Sequence, residues 1–245
     1  MSALGIDRRQ VGILSERYLD VLIGDPWGVL LLLVQAPLIA VGVGGVWGNV
    51  SQDTLTMYFV LCLSAFFLGA ANSAREIVKE RALYLRERMY NLSAGAYLLS
   101  KFRVQLILIV IQCVLLAGVT RGMLTLRINV FALTAVLLAV ALAGTAVGLM
   151  VSSWVSSPDQ AVAMVPLVVI PQILFSDFVV GEGKLSNWTS AAHKLMPVKW
   201  GYEVLRTLRA DKLEIGTVLS GTGVLATMVL GCFLVALLRL VRQKY

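Results

Sequence analysis

The side chains able to do acid, base or metal chemistry are few and scattered. The single histidine, His193, has no cysteine or carboxylate partner at ligand spacing, so a structural or solvated role is expected for it. Asp159, Asp177 and Glu203 stand near the edges of apolar runs, whereas an ion-coupled carrier keeps ionisable groups at membrane depth. Gln35, Asn72, Gln105, Gln112 and Gln172 fall inside those runs, but an amide takes up no charge and its expected use is helix–helix hydrogen bonding. Gly181-Glu-Gly-Lys184 lacks the spacing of a phosphate loop. Leu219-Ser-Gly-Thr-Gly223 resembles an ATPase signature but opens a hydrophobic run. Cys62, Cys113 and Cys232 all lie in apolar surroundings, where free cysteine acts as a small hydrophobe. No catalytic, metal or nucleotide site is expected, and no bound cofactor.

The chemistry that remains is recognition by charge. The segment Arg75–Lys101 (REIVKERALYLRERMYNLSAGAYLLSK) is too charged for lipid and lies between stretches apolar enough to cross a bilayer. Val78, Ala82, Leu85, Met89 and Leu92 recur at helical spacing, and the other faces carry Arg75, Glu76, Lys79, Glu80, Arg81, Arg86, Glu87 and Arg88. Such a helix lays its apolar stripe on a membrane-embedded body and offers mixed charge to a partner in the water. Upstream, Ser15–Asp25 places Tyr18, Leu19, Leu22 and Ile23 on one side, which predicts a short interfacial helix within an N-terminal connecting segment 1–25.

The elements that position this segment are hydrophobic. Of 245 residues, 58% are hydrophobic and 14% charged, which excludes an ordinary soluble domain. Runs at Pro26–Gln52, Thr54–Ala74, Val104–Thr120, Ile128–Pro158, 160–180 and Ile215–Leu238 each approach the roughly 20 residues that a spanning helix needs. The expected fold is therefore an all-α membrane protein, one domain over 1–245, with six spans and the surface segment 75–101. Pro37, Pro166 and Pro171 should bend their spans, and Gly44-x3-Gly48 and Gly144-x3-Gly148 are read as packing contacts. Between the last two spans, 181–213 reads as two short helices, Ser186–Leu195 and Val198–Arg209, dipping in from the outer face. Trp188, Trp200 and Tyr202 fit that interface.

Orientation follows from lysine and arginine. With the N-terminus inside, the inner segments hold 13 of them and the outer ones eight, which favours both termini in the cytoplasm. Six of the outer eight fall in 177–214, against the rule. The net charge of +7 belongs largely to loops facing anionic lipid; no nucleic-acid motif accompanies it. The first two dozen residues are polar, without the apolar core of a cleaved signal, so the first run is expected to direct insertion itself.

Ala74-Arg-Glu76, Glu80-Arg81, Tyr84, Arg86-Glu87-Arg88 and Ala96-Tyr97-Leu-Leu-Ser-Lys101 together resemble the coupling segment of type-2 ABC exporter permeases, above all the ABCG (White-family) membrane halves and their bacterial relatives. Phe175-Ser176, Trp188 and Met196-Pro197-Val-Lys-Trp-Gly-Tyr-Glu-Val-Leu205 are similar to that family's outer region, with Asp177 in place of a glycine and Met196 in place of a serine. The resemblance implies a permease subunit in the plasma (inner) membrane that pairs with a second copy or a relative. Two copies of a separate ABC ATPase would serve the pair and would bind the ATP and magnesium. It implies that Glu76, Lys79, Glu80, Arg81, Tyr84, Arg86, Glu87 and Arg88 serve coupling, that Phe66, Phe67, Ile170 and Ile173 line a cavity, and that Phe178 and Val179 form an outer gate. The implied cargo is hydrophobic or amphipathic: a lipid, glycolipid or drug. The competing readings are an ion-coupled carrier, disfavoured by the missing deep charges, and a membrane scaffold that uses the charged helix only for assembly.

Overall fold

Six of the helices start where the sequence supplies a capping side chain. The computed structural model describes residues 7–50, 53–176, 187–210 and 215–243. Among them, α1 (Arg8–Ile23), α2 (Pro26–Trp47), α3 (Leu55–Ser73), α5 (Ala94–Met123), α6 (Val130–Trp154) and α7 (Pro158–Leu174) open at Asp7, Asp25, Thr54, Ser93, Asn129 and Ser157. Every one of these side chains accepts a backbone N–H of the first turn. Pro26 and Pro158 stand at first helical positions, where no N–H is needed. Between α3 and α5 come a 3₁₀ turn, Val78–Glu80, and α4 (Arg81–Arg88). The chain ends through α8 (Asn187–Lys194), α9 (Pro197–Arg209) and α10 (Ile215–Arg242).

Among the described residues, five stretches are long and apolar enough to cross a membrane: those beginning at Pro26, Leu55, Ala94, Val130 and Ile215. The remaining apolar helix, α7, has 17 residues. At about 1.5 Å per residue it is roughly 25 Å long, slightly less than a hydrocarbon core of about 30 Å. The third stretch differs from the expected Val104–Thr120, since it starts ten residues earlier, at Ala94. Ser93 caps it there, and nothing in Ala94–Arg103 breaks a helix. Pro197 opens α9 one residue before the expected Val198, with Leu195 and Met196 between it and α8.

The centre of the bundle is the seam between α3 and α6. A Cβ on Gly69 would stand 2.0 Å from the Ala141 carbonyl oxygen, and one on Gly144 2.3 Å from that of Phe66. Backbone therefore meets backbone, the approach that small residues permit in membranes. α9 packs on α3 and α6, bringing Val198, Val204 and Leu205 into the same core. The buried amides join helices: Asn72 Nδ2 donates to Gln112 Oε1 at 2.7 Å, Gln112 Nε2 to the Leu32 carbonyl at 2.7 Å, and Gln172 Oε1 accepts the Val198 N–H at 3.3 Å. α2 and α10 leave most of their apolar surface open, Leu31, Leu38, Leu219 and Leu230 among it.

Candidate functional site

At one end of the bundle α1, the 3₁₀ turn, α4 and the ends of α3, α5, α6 and α10 converge. The charged segment is not one continuous helix. Ser152 Oγ on α6 accepts the Ile77 and Val78 N–H groups at 2.9 and 3.0 Å, and the 3₁₀ turn follows directly. That turn shifts the helical phase. The side chains driven into the protein are Ile77, Val78 and Tyr84, whereas Ala82 and Met89, expected on the apolar stripe, are exposed. The segment closes at Asn91, whose φ of 66° is the left-handed conformation that asparagine tolerates. Gln10 of α1 clamps this reversal: its Nε2 donates to the Asn91 carbonyl at 3.3 Å and its Oε1 accepts the Ser93 N–H at 3.1 Å.

Seven of the eight side chains expected to couple are engaged within the chain through a charge or hydroxyl. Glu76, buried, accepts a short hydrogen bond from Tyr18 Oη and pairs with Lys79 Nζ at 2.6 Å. Glu80 pairs at 2.6 Å with Lys101, whose side chain is 3% exposed and whose Nζ stands 3.8 Å from the centre of the Tyr18 ring. Glu87 pairs with Arg17. Arg81 donates to the Ser153 carbonyl at 3.1 Å. Tyr84 stacks on Tyr97 with ring centres 4.7 Å apart and donates to the Leu240 carbonyl at 3.2 Å. Arg88 reaches the carbonyls of Leu240, Val241 and Gln243, groups that a helix C-terminus leaves unsatisfied. Lys79 keeps an exposed side, and Arg86 is exposed outright.

The electrostatics follow from these pairs. Burial and the neighbouring Glu76 push the Tyr18 phenol well above its ordinary range, so it stays a donor to that carboxylate. The hydrogen bond to Glu87 holds the Arg17 guanidinium above its usual value, against the opposing effect of burial. Gln105, expected to bond between helices, donates from its Nε2 to Tyr18 Oη at 3.1 Å and to the Asn72 carbonyl at 3.3 Å, whereas the sequence does not foresee the roles of Gln10, Lys101, Ser152 and Ser153. Lys101 alone carried a signal, being a cation within an apolar stretch that requires a carboxylate nearby.

At membrane depth the four expected cavity residues separate. Phe66 is fully buried at the seam; Phe67, Ile170 and Ile173 are 38%, 50% and 36% exposed. Phe67 lies on an open stripe of α3 with Thr56, Val60, Leu63 and Ala71, at helical spacing. α7 buries only the edge formed by Ala161, Val165 and Gln172. Phe178 and Val179, the expected gate, lie outside the described residues. Between α1, α4 and α5 a cavity of about 120 Å³ is lined by Leu14, Tyr18, Leu83, Tyr97 and Lys101, well below the roughly 300 Å³ of even a small ligand pocket.

The opposite end is organised by one carboxylate that the sequence did not single out. Asp53, with its side chain 1% exposed, accepts from Tyr58 Oη at 2.5 Å, from the Arg127 N–H at 3.2 Å and from Arg209 Nε at 3.2 Å. Burial alone would raise its pKa, but those three donors outweigh it and hold the carboxyl below its ordinary 3.8. The node joins the α2–α3 and α5–α6 connections to the end of α9.

The sequence profile of the ABC-2 type transporter family matches residues 9–208. The ABC transporter ATP-binding/permease protein Rv1747 of Mycobacterium tuberculosis is 25% identical over 219 residues, covering 79% of this chain and 24% of the relative. The chain thus spans about a quarter of that relative's length.

Proposed function

Starting from the chain's membership of the ABC-2 type transporter family, we propose that it is the permease of an ATP-driven exporter for a hydrophobic or amphipathic molecule such as a lipid, glycolipid or drug. Family membership makes it a multi-pass membrane subunit of an ABC transporter, working with an ABC ATPase. The finer reading is six crossings, with α7 as the fifth, and both termini on the cytoplasmic side of the plasma membrane. Two permease copies would be served by two ATPases that hold ATP and magnesium. Because this ATPase would be a separate subunit, the arrangement would differ from the relative named as an ATP-binding/permease protein.

The observation that carries the proposal is the polar platform at one end. It gathers α1, the segment 75–92 and the end of α10, so a load applied to any of them reaches α3, α5 and α6 through paired charges. Substrate would pass between two copies, along the open faces carrying Phe67, Ile170 and Ile173, with Phe178 and Val179 closing the exit. Phe66 belongs to the seam and would not touch cargo. An ion-coupled mechanism finds less support: among the described residues, the buried ionisable side chains Asp53, Glu76, Lys101 and His193 sit toward the ends of the bundle.

Reconstitution with the ATPase in proteoliposomes tests the proposal. Vanadate-sensitive hydrolysis should rise with a hydrophobic probe such as a fluorescent phospholipid, and Phe67→Ala should weaken that response by about 1–3 kcal/mol of probe affinity. Hydrolysis that ignores the permease, or probe movement without ATP, would overturn it.

A further inference from the structure

The cavity between α1, α4 and α5 is too small for cargo, yet its wall holds polar groups with bonds still to make. Tyr97 is 1% exposed, and its Oη is buried without a hydrogen-bond partner among the described residues. A buried hydroxyl left so is unfavourable, and the ring does not need it, being held by its stack on Tyr84. Lys101 and Arg17 stand in the same wall. The Lys101 ammonium has three N–H groups, of which Glu80 takes one at 2.6 Å while the Tyr18 ring covers another side at 3.8 Å. Arg17 turns both terminal nitrogens toward Glu87 and retains further N–H groups. Three different donors thus share a space of about 120 Å³. A single water needs roughly 10–15 Å³, so a group of several non-hydrogen atoms fits.

Charge decides what those donors accept. Around the cavity, Glu76, Glu80 and Glu87 are matched by Lys79, Lys101 and Arg17. Arg81 and Arg88 come in addition, turned onto backbone carbonyls. The other acids of α1 near this wall, Glu16 and Asp20, are exposed to water, which screens them. Cations are in surplus, so the partner that completes the site is an acceptor with negative charge. The shape is equally one-sided. Tyr97, Ser100 and Lys101 make a buried polar end, whereas the open edge is Val21, 62% exposed, beside half-buried Leu83. From Val21 the exposed apolar surface continues through Ile23 and Trp27 to Leu30 and Leu31 on α2. A small anionic head with an apolar body matches both ends.

We infer that this cavity binds a phosphate group, held by the Tyr97 hydroxyl, Lys101 and Arg17. The apolar edge favours the phosphodiester of a phospholipid, its chains lying along Val21 and the start of α2. A free phosphate ester offers the same oxygens without that second contact. Bound between α1 and α5, the ligand ties the N-terminal helix to the bundle. It is not cargo, because the site is separate from the open faces that carry Phe67, Ile170 and Ile173.

The test is native mass spectrometry of the full chain, delipidated in detergent and titrated with phosphatidylglycerol, with diacylglycerol of the same chains and inorganic phosphate as parallel probes. One phosphatidylglycerol should bind saturably, and diacylglycerol about tenfold or more weakly. Tyr97→Phe keeps the ring on Tyr84 and removes only the unpartnered hydroxyl. It should cut lipid affinity about tenfold, the scale of one hydrogen bond to a charged group, without lowering the melting temperature of the lipid-free protein. Arg17→Gln should weaken the lipid similarly, and in both variants the rise in melting temperature that the lipid produces should shrink. Saturable binding that neither variant changes would place the lipid elsewhere and overturn the inference. So would equal binding of diacylglycerol, or no saturable binding of either phosphatidylglycerol or inorganic phosphate. Inorganic phosphate that binds as tightly as the lipid, and is likewise weakened by Tyr97→Phe, would support the phosphate site and assign it to a soluble ester.

Discussion

The two ends of the bundle solve the same problem in different ways. Opposite the coupling segment, one carboxylate, Asp53, collects Tyr58, Arg127 and Arg209 and so closes three connections at a single point. At the other end, Glu76, Glu80 and Glu87 share the work with Lys79, Lys101, Arg17 and three tyrosines across α1, the 3₁₀ turn, α4 and α5. A single node is all or nothing, whereas a network loses one member and keeps its shape. The end proposed to transmit movement is the redundant one, and the opposite end is not.

The largest effect is therefore expected at Asp53. Asp53→Ala strands a buried donor, Tyr58, and a partly buried one, Arg209, and should cost about 2–4 kcal/mol, read as a fall in melting temperature in detergent. Because the folded-state pKa of Asp53 lies below its ordinary 3.8, its stabilisation is complete above that value and is lost as pH falls through the depressed one. Wild type should thus lose stability in acid, with Asp53→Asn showing less of that loss. Equal acid sensitivity in both would remove the node from the account.

Next comes Glu80→Gln, at about 1–2 kcal/mol. Lys101 would keep the Tyr18 ring and the field of Glu76, so the network should partly compensate. Adding Glu76→Gln should cost more than the sum of the two single changes, which a double-mutant cycle measures; strict additivity would mean that the network is a set of independent pairs. Arg17→Ala, at a pair open to water, should change stability by only about 0–1 kcal/mol. Reversing Glu80, Arg81, Glu87 and Arg88 together, which composition alone suggests as a pure docking variant, should instead loosen the fold, since each of the four is spent on a contact within the chain.

Much of this architecture is legible in the residues. Capping side chains and apolar runs give the long helices, and the cluster from Glu76 to Arg88 marks the functional end. What stays hidden depends on tertiary choice. The sequence of this segment is compatible with more than one carboxylate–cation pairing, and only the fold pairs Glu80 with Lys101 instead of a closer neighbour in sequence. The 3₁₀ turn at Val78–Glu80 breaks a stripe that periodicity draws as continuous. α1 runs from Arg8 where the sequence reading begins at Ser15, because Asp7 caps it and Val11 and Leu14 extend its buried face. Phe66 and Phe67 are alike as letters and opposite in exposure, decided by which of them meets the seam at Gly144.

The central claim is that the proposed coupling end divides its charges into those paired within the chain, such as Glu80 with Lys101, and those left exposed to meet an ATPase, Arg75 and Arg86. ATP hydrolysis by the reconstituted complex carrying Arg75→Glu/Arg86→Glu measures this most directly, with melting temperature followed on the same sample. The account predicts an unchanged melting temperature and a loss of most permease-stimulated hydrolysis. Full stimulation, or a loss of stability as large as that of Glu80→Gln, would contradict it.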